Sequence, residues 1–144
     1  MDECKCEKCR ECCKRIPGIS TPDDLVKQAK YLNLSLKEYL ETYCVKGYRG
    51  SIFEEGETIY FAYPARVGWN NKSEDWGYPL TGNQCIFLTK EELCLIHPVK
   101  SLECRESFGC KSDGTKRDKA LRIWQKAWKE STIPTEIKEF LINI

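Results

Sequence analysis

The chain has a single histidine and a single methionine, and the shortage of histidine leaves little room for nucleophilic catalysis. A cysteine–histidine arrangement would have to run through His97 and the thiols beside it. No glycine-rich phosphate loop and no dinucleotide fingerprint occurs, so there is no motif-based case for nucleotide binding. No apolar run approaches the ~18–20 residues that a membrane span requires. Charge of neither sign dominates: 23 Lys and Arg stand against 22 Asp and Glu, a formal net charge of +1. The global balance therefore gives no reason to expect nucleic acid or an acidic lipid surface as partner. The opening residues are charged from Asp2 onward and contain no apolar h-region. The expected compartment is the cytoplasm, where thiols are kept reduced.

What the chain does have is cysteine, ten in 144 residues. A chain of this length buries roughly 68–70% of its unfolded surface, so it does not need cross-links merely to fold. Dense cysteine in a reducing compartment points to metal or catalysis rather than disulfides. One domain spanning 1–144 is expected.

Residues 1–15 are charge and cysteine with almost nothing apolar, and such a segment has no core unless a metal supplies one. A breaker-rich connector follows through Pro17, Gly18 and Pro22. Ser20 or Thr21 can cap a helix that has Asp23 and Asp24 in its first turn. Leu25, Ala29 and Leu32 recur at helical spacing, with Val26 and Tyr31 widening the stripe. Asn33, Leu34 and Ser35 break the pattern. Ser35 can cap a second helix, with Glu38 at the capping-box position and Leu36, Tyr39, Leu40 and Tyr43 on its apolar face. A DNA-reading role for this pair is disfavoured, since Glu38 and Glu41 lie where a recognition helix is basic.

Ser51-Ile52-Phe53 and Thr58-Ile59-Tyr60-Phe61 read as a β-hairpin around a loop containing Gly56. From Ala65 to Gln84 the chain is loop-like yet holds Trp69, Trp76 and Tyr78, which either fold back over the core or face a partner. A helix from about Thr115 to Glu130 carries the stripe Ala120, Leu121, Trp124, Ala127 and Trp128. A last short helix follows Pro134, with Ile137, Phe140 and Leu141 facing inward. The basic residues of 111–130, among them Lys116, Arg117, Lys119, Arg122, Lys126 and Lys129, read as the solvated outer face of that helix rather than an RNA surface. The fold class is α+β: a small, mainly helical domain with a β-hairpin, organised around a cysteine-ligated metal centre.

The cysteines form two groups. In the first, Cys6-x-x-Cys9-x-x-Cys12 is the informative part. Two intervening residues let a turn aim both thiolates at one ion, with backbone N–H groups left to hydrogen-bond the sulfurs. Tandem spacings of this kind occur in iron–sulfur motifs as well as zinc sites. Adjacent Cys12 and Cys13 side chains diverge, so one of them can serve a second site or make a structural contact instead. The second group, Cys85, Cys94, Cys104 and Cys110, is too widely spread for a local knuckle and is expected to meet the first only in the fold. Four plus four ligands fit two metal sites or one larger cluster with spare thiols. Cys44, next to Tyr43, reads instead as a buried structural thiol. His97 is more in keeping with a structural role than with a ligand role, and Arg105 either neutralises thiolate charge beside Cys104 or belongs to the surface.

Cys6-x-x-Cys9-x-x-Cys12-Cys13, Gly82-Asn83-Gln84-Cys85-Ile86-Phe87-Leu88, Cys94-Leu95-Ile96-His97-Pro98 and Cys104-Arg105 occur in that order. This set resembles the YkgJ-type CxxCxxCC cysteine-cluster family, and the resemblance also takes in the helix pair beginning Thr21-Pro22-Asp23-Asp24. It implies a zinc- or iron-chelating domain with eight characteristic cysteines: Cys6, Cys9, Cys12, Cys13, Cys85, Cys94, Cys104 and Cys110. Cys4 and Cys44 are extra, and Gly109 stands before Cys110 where members often carry Phe-Pro. A flagellin lysine methylase has a similar cluster, but no methyl-donor site is recognisable here.

The tandem spacing and the surplus of thiols favour an iron–sulfur cluster, of the 4Fe-4S type, over zinc. The leading expectation is electron transfer, cluster delivery or maturation of another enzyme, with a protein partner and no membrane or nucleic acid. The alternative is a zinc-stabilised protein-interaction module without redox activity. An oxidoreductase or transferase with its own substrate is a third reading, and no enzymatic activity is assigned.

Overall fold

A computed structural model describes residues 18–49, 58–65, 85–87, 94–102, 104 and 115–142. Among them are four α-helices and a two-stranded antiparallel sheet, a mixed α+β arrangement. Helix α1 spans Pro22–Tyr31 and α2 spans Leu36–Tyr43. Strand β1 follows at Cys44–Arg49 and β2 at Ile59–Pro64. A single 3-10 turn covers His97–Val99, and helices α3, Thr115–Glu130, and α4, Thr135–Ile142, complete the order.

Both early helices start at capping boxes. Thr21 accepts from the Asp24 backbone N–H while the Asp24 carboxylate accepts from the Thr21 N–H, at 3.1 and 2.9 Å. Ser35 and Glu38 repeat the exchange at 3.1 and 3.4 Å. Each box satisfies two backbone donors that a helix start would otherwise leave unpaired. Helix α1 stops because Asn33 takes a φ of 62°. Asn33 N–H then donates to Lys30 and Leu34 N–H to Ala29, the pattern of a Schellman ending. Helix α3 ends in the same way, with Ser131 at φ 55° and Thr132 N–H donating to Ala127.

The expected hairpin is present, but its first strand lies earlier than the pattern suggested. Cys44 caps α2 and begins β1. The expected partner Ser51-Ile52-Phe53 falls outside the described residues, as do Trp69, Trp76 and Tyr78. In the observed register Gly47 lies opposite Phe61. A Cβ built on Gly47 would sit 2.7 Å from Cε2 of Phe61, so glycine is required here for the close approach of the ring.

One hydrophobic core joins the helices to the sheet. Helix α3 contributes Ala120, Leu121, Trp124 and Ala127, all buried, and α4 contributes Ile137, Phe140 and Leu141 as expected. The Trp128 indole donates to the Tyr60 carbonyl at 2.8 Å, fixing α3 to β2. Helix α2 packs on α1 and on α4. The face of α1 differs from the expected stripe. Leu25 and Ala29 are buried, but Val26 and Tyr31 are exposed, and Asp24 and Gln28 are buried in their place. Among the described residues no helix is long and apolar enough to cross a membrane.

Candidate metal centre

Of the eight expected ligands, Cys85, Cys94 and Cys104 are described. Cys6, Cys9, Cys12, Cys13 and Cys110 lie outside the described residues, as do the side chain of His97 and the whole of Arg105. Cys85 is buried, whereas Cys94 and Cys104 are half-buried, and all three are thiols rather than half-cystines. Short backbone contacts hold the first two segments together. Ile86 N–H donates to the Ala65 carbonyl at the end of β2, and Leu95 N–H donates to the Phe87 carbonyl at 2.8 Å.

The stretch leading to Cys104 is fastened to α1 by buried polar groups. The Asp24 carboxylate, already closing the helix cap, accepts a second hydrogen bond from the Leu102 N–H at 2.8 Å. The Gln28 amide donates to the Val99 carbonyl at 3.0 Å and lies 3.2 Å from the Ser101 hydroxyl. Ser101 in turn pairs with the Ser20 hydroxyl at 2.5 Å, and the Trp124 indole donates to the Ser20 carbonyl at 2.6 Å. Buried polar groups of this kind cost stability unless each finds a partner. Here each bond also fixes a position, because a hydrogen bond is directional where an apolar contact is not.

Tyr39 joins this network to the thiols. It is fully buried on α2, and its hydroxyl donates to Gln28 Oε1 at 2.6 Å. Burial drives its phenol far above the usual tyrosine range, and the neighbouring Cys44, Cys85 and Cys94 push it further in the same direction. Burial likewise drives the Cys44 thiol well above its usual range; a hydrogen bond with Tyr39 opposes the rise, and Cys85 adds to it. Cys44 is thus held as a neutral thiol in the core, as the sequence reading expected. The Tyr39 ring stacks on Phe87 at 6.2 Å between centroids, and Tyr43 tilts against the same ring at 5.2 Å.

Among the described residues no group of three or more His, Cys, Asp and Glu side chains closes a metal site by itself. The donor chemistry nevertheless fits part of one. The Cys85 and Cys94 segments are joined by the Leu95–Phe87 backbone bond, and Cys104 lies two residues beyond Leu102, which Asp24 anchors. Asp24, Gln28 and Ser101 are buried polar groups that no cysteine spacing marks. A signal was available, since Asp24, Leu25, Gln28 and Ala29 fall on one helical face. A groove of about 230 Å³ elsewhere, lined by Lys37, Leu40, Glu41, Lys46, Glu136, Glu139 and Phe140, contains no cysteine.

Comparison with curated proteins and with solved structures returned no match. A family model matches residues 5–130, a span that takes in all eight expected ligands. The chain belongs to the CxxCxxCC family, which is described as a "Putative zinc- or iron-chelating domain".

Proposed function

We propose that the chain binds an iron–sulfur cluster through Cys6, Cys9, Cys12, Cys13, Cys85, Cys94, Cys104 and Cys110, and serves electron transfer, cluster delivery or maturation of a partner protein in the cytoplasm. The observation that carries the reading is the tandem Cys6-x-x-Cys9-x-x-Cys12-Cys13 run in a chain where Cys85, Cys94 and Cys104 are thiols. Tandem spacings of two intervening residues recur in iron–sulfur motifs, which favours a cluster over a single zinc. A bound cluster supplies one-electron redox chemistry. The chain's own contribution is to supply thiol ligands, of which Cys85 is buried in the same core as Tyr39 and Phe87.

Anaerobic purification tests the reading. Brown protein with broad absorption near ~400 nm, containing iron and acid-labile sulfide, is the expected result. Colourless protein carrying stoichiometric zinc would overturn the cluster and leave the zinc-stabilised interaction module in its place.

A further inference from the structure

Two separate cysteine-bearing segments converge on one residue that lies 46 positions before the first of these cysteines. The ring of Tyr39 stacks on Phe87, two residues beyond Cys85. Its hydroxyl donates to Gln28, whose amide group is held by the Val99 carbonyl and Ser101, in the stretch between Cys94 and Cys104. The amide is oriented by those partners, with its oxygen turned to Tyr39 and its nitrogen to the 99–101 backbone. The phenol proton is therefore committed to Gln28.

We infer that Tyr39 is a positioning residue for the metal centre, fixing the Cys85 segment relative to the Cys94–Cys104 stretch through its ring on one side and Gln28 on the other. The inference rests on the metal-binding reading above, though not on which metal is bound. Groups that orient ligands without touching the metal typically change affinity by about 10–100-fold when removed. Tyr39→Phe deletes the hydroxyl and keeps the ring, so it separates the hydrogen-bonded arm from the stacked one.

Cobalt(II) titration of the reduced full-length chain is the test, since cobalt occupies zinc and iron thiolate sites and its ligand-field bands report geometry. Wild-type protein is expected to give thiolate-to-cobalt charge transfer. Tyr39→Phe should bind cobalt about tenfold more weakly and show shifted ligand-field bands at saturation. Tyr60→Phe, a change at an exposed ring, should match wild type. A purely structural role for Tyr39 would lower the melting temperature yet leave the bands of the loaded protein in place, and that result overturns the inference. Gln28→Met, which removes the acceptor and keeps the phenol, should shift the bands in the same way and serves if Tyr39→Phe does not fold. Wild-type bands in both variants would likewise overturn the proposal. A wild-type chain that takes up neither cobalt nor reconstituted iron and sulfide would overturn the metal-binding reading itself.

Discussion

Helices α1 and α3 both bury one face in the same core, but they do so with different chemistry. Helix α3 inserts Ala120, Leu121, Trp124 and Ala127, a stripe with a single polar atom, the Trp124 indole nitrogen, bonded to Ser20. Helix α1 inserts Leu25 and Ala29 beside Asp24 and Gln28, whose side chains reach Leu102, Val99 and Ser101. An apolar stripe contributes stability in proportion to the area it buries and is largely indifferent to small shifts. A buried carboxylate and amide lose their stabilising effect when a partner moves by an ångström. The apolar helix therefore holds the fold together, and the polar one sets where the cysteine-bearing stretch lies.

The comparison can be broken at either end. The largest expected effect is on the apolar side: Leu121→Ala should cost about 3–5 kcal/mol in urea unfolding, through the cavity it leaves in the core. Once corrected for the unfolded fraction, its metal affinity should stay near wild type. On the polar side, Asp24→Ala removes an acceptor from both the Thr21 and Leu102 N–H groups. A loss of about 2–3 kcal/mol is expected. Unlike Leu121→Ala, it should weaken cobalt binding in the protein that remains folded; equal affinities in the two variants would erase the distinction. The smallest effect has the opposite sign. Ser131 ends α3 at φ 55°, a conformation in which a side chain is strained, so Ser131→Gly should stabilise by up to about 1 kcal/mol, read as a higher urea midpoint.

The same contrast explains what could be read from the sequence. Helices α3 and α4 were legible because unbroken apolar stripes, Ala120 to Ala127 and Ile137 to Leu141, directly mark their buried faces. The starts of α1 and α2 were legible because Thr21 with Asp24 and Ser35 with Glu38 have the chemistry of capping boxes. The inward face of α1 was not, since Val26 and Tyr31 are apolar but exposed while Asp24 and Gln28 are polar but buried. Their partners, Val99, Ser101 and Leu102, are more than 70 positions away, beyond any local pattern. Strand β1 was hidden by Gly47, whose place in the alternation is filled by the ring of Phe61 from the opposite strand. At the candidate site, spacing alone pointed to Cys6, Cys9 and Cys12. That Cys85 and Cys94 approach a common phenol could emerge only from the packing of three separate segments.

Cys44 and Cys85 give the most direct test of the central claim that particular cysteines, and not buried thiols in general, form the centre. Both are buried, and both act electrostatically on Tyr39. Only Cys85 is assigned to the metal. Metal content per folded chain should therefore be measured for Cys44→Ser and Cys85→Ser, purified anaerobically beside wild type. The account predicts wild-type metal content in Cys44→Ser, where a hydroxyl can still hydrogen-bond Tyr39, and a marked loss in Cys85→Ser. Full metal content in Cys85→Ser would contradict it.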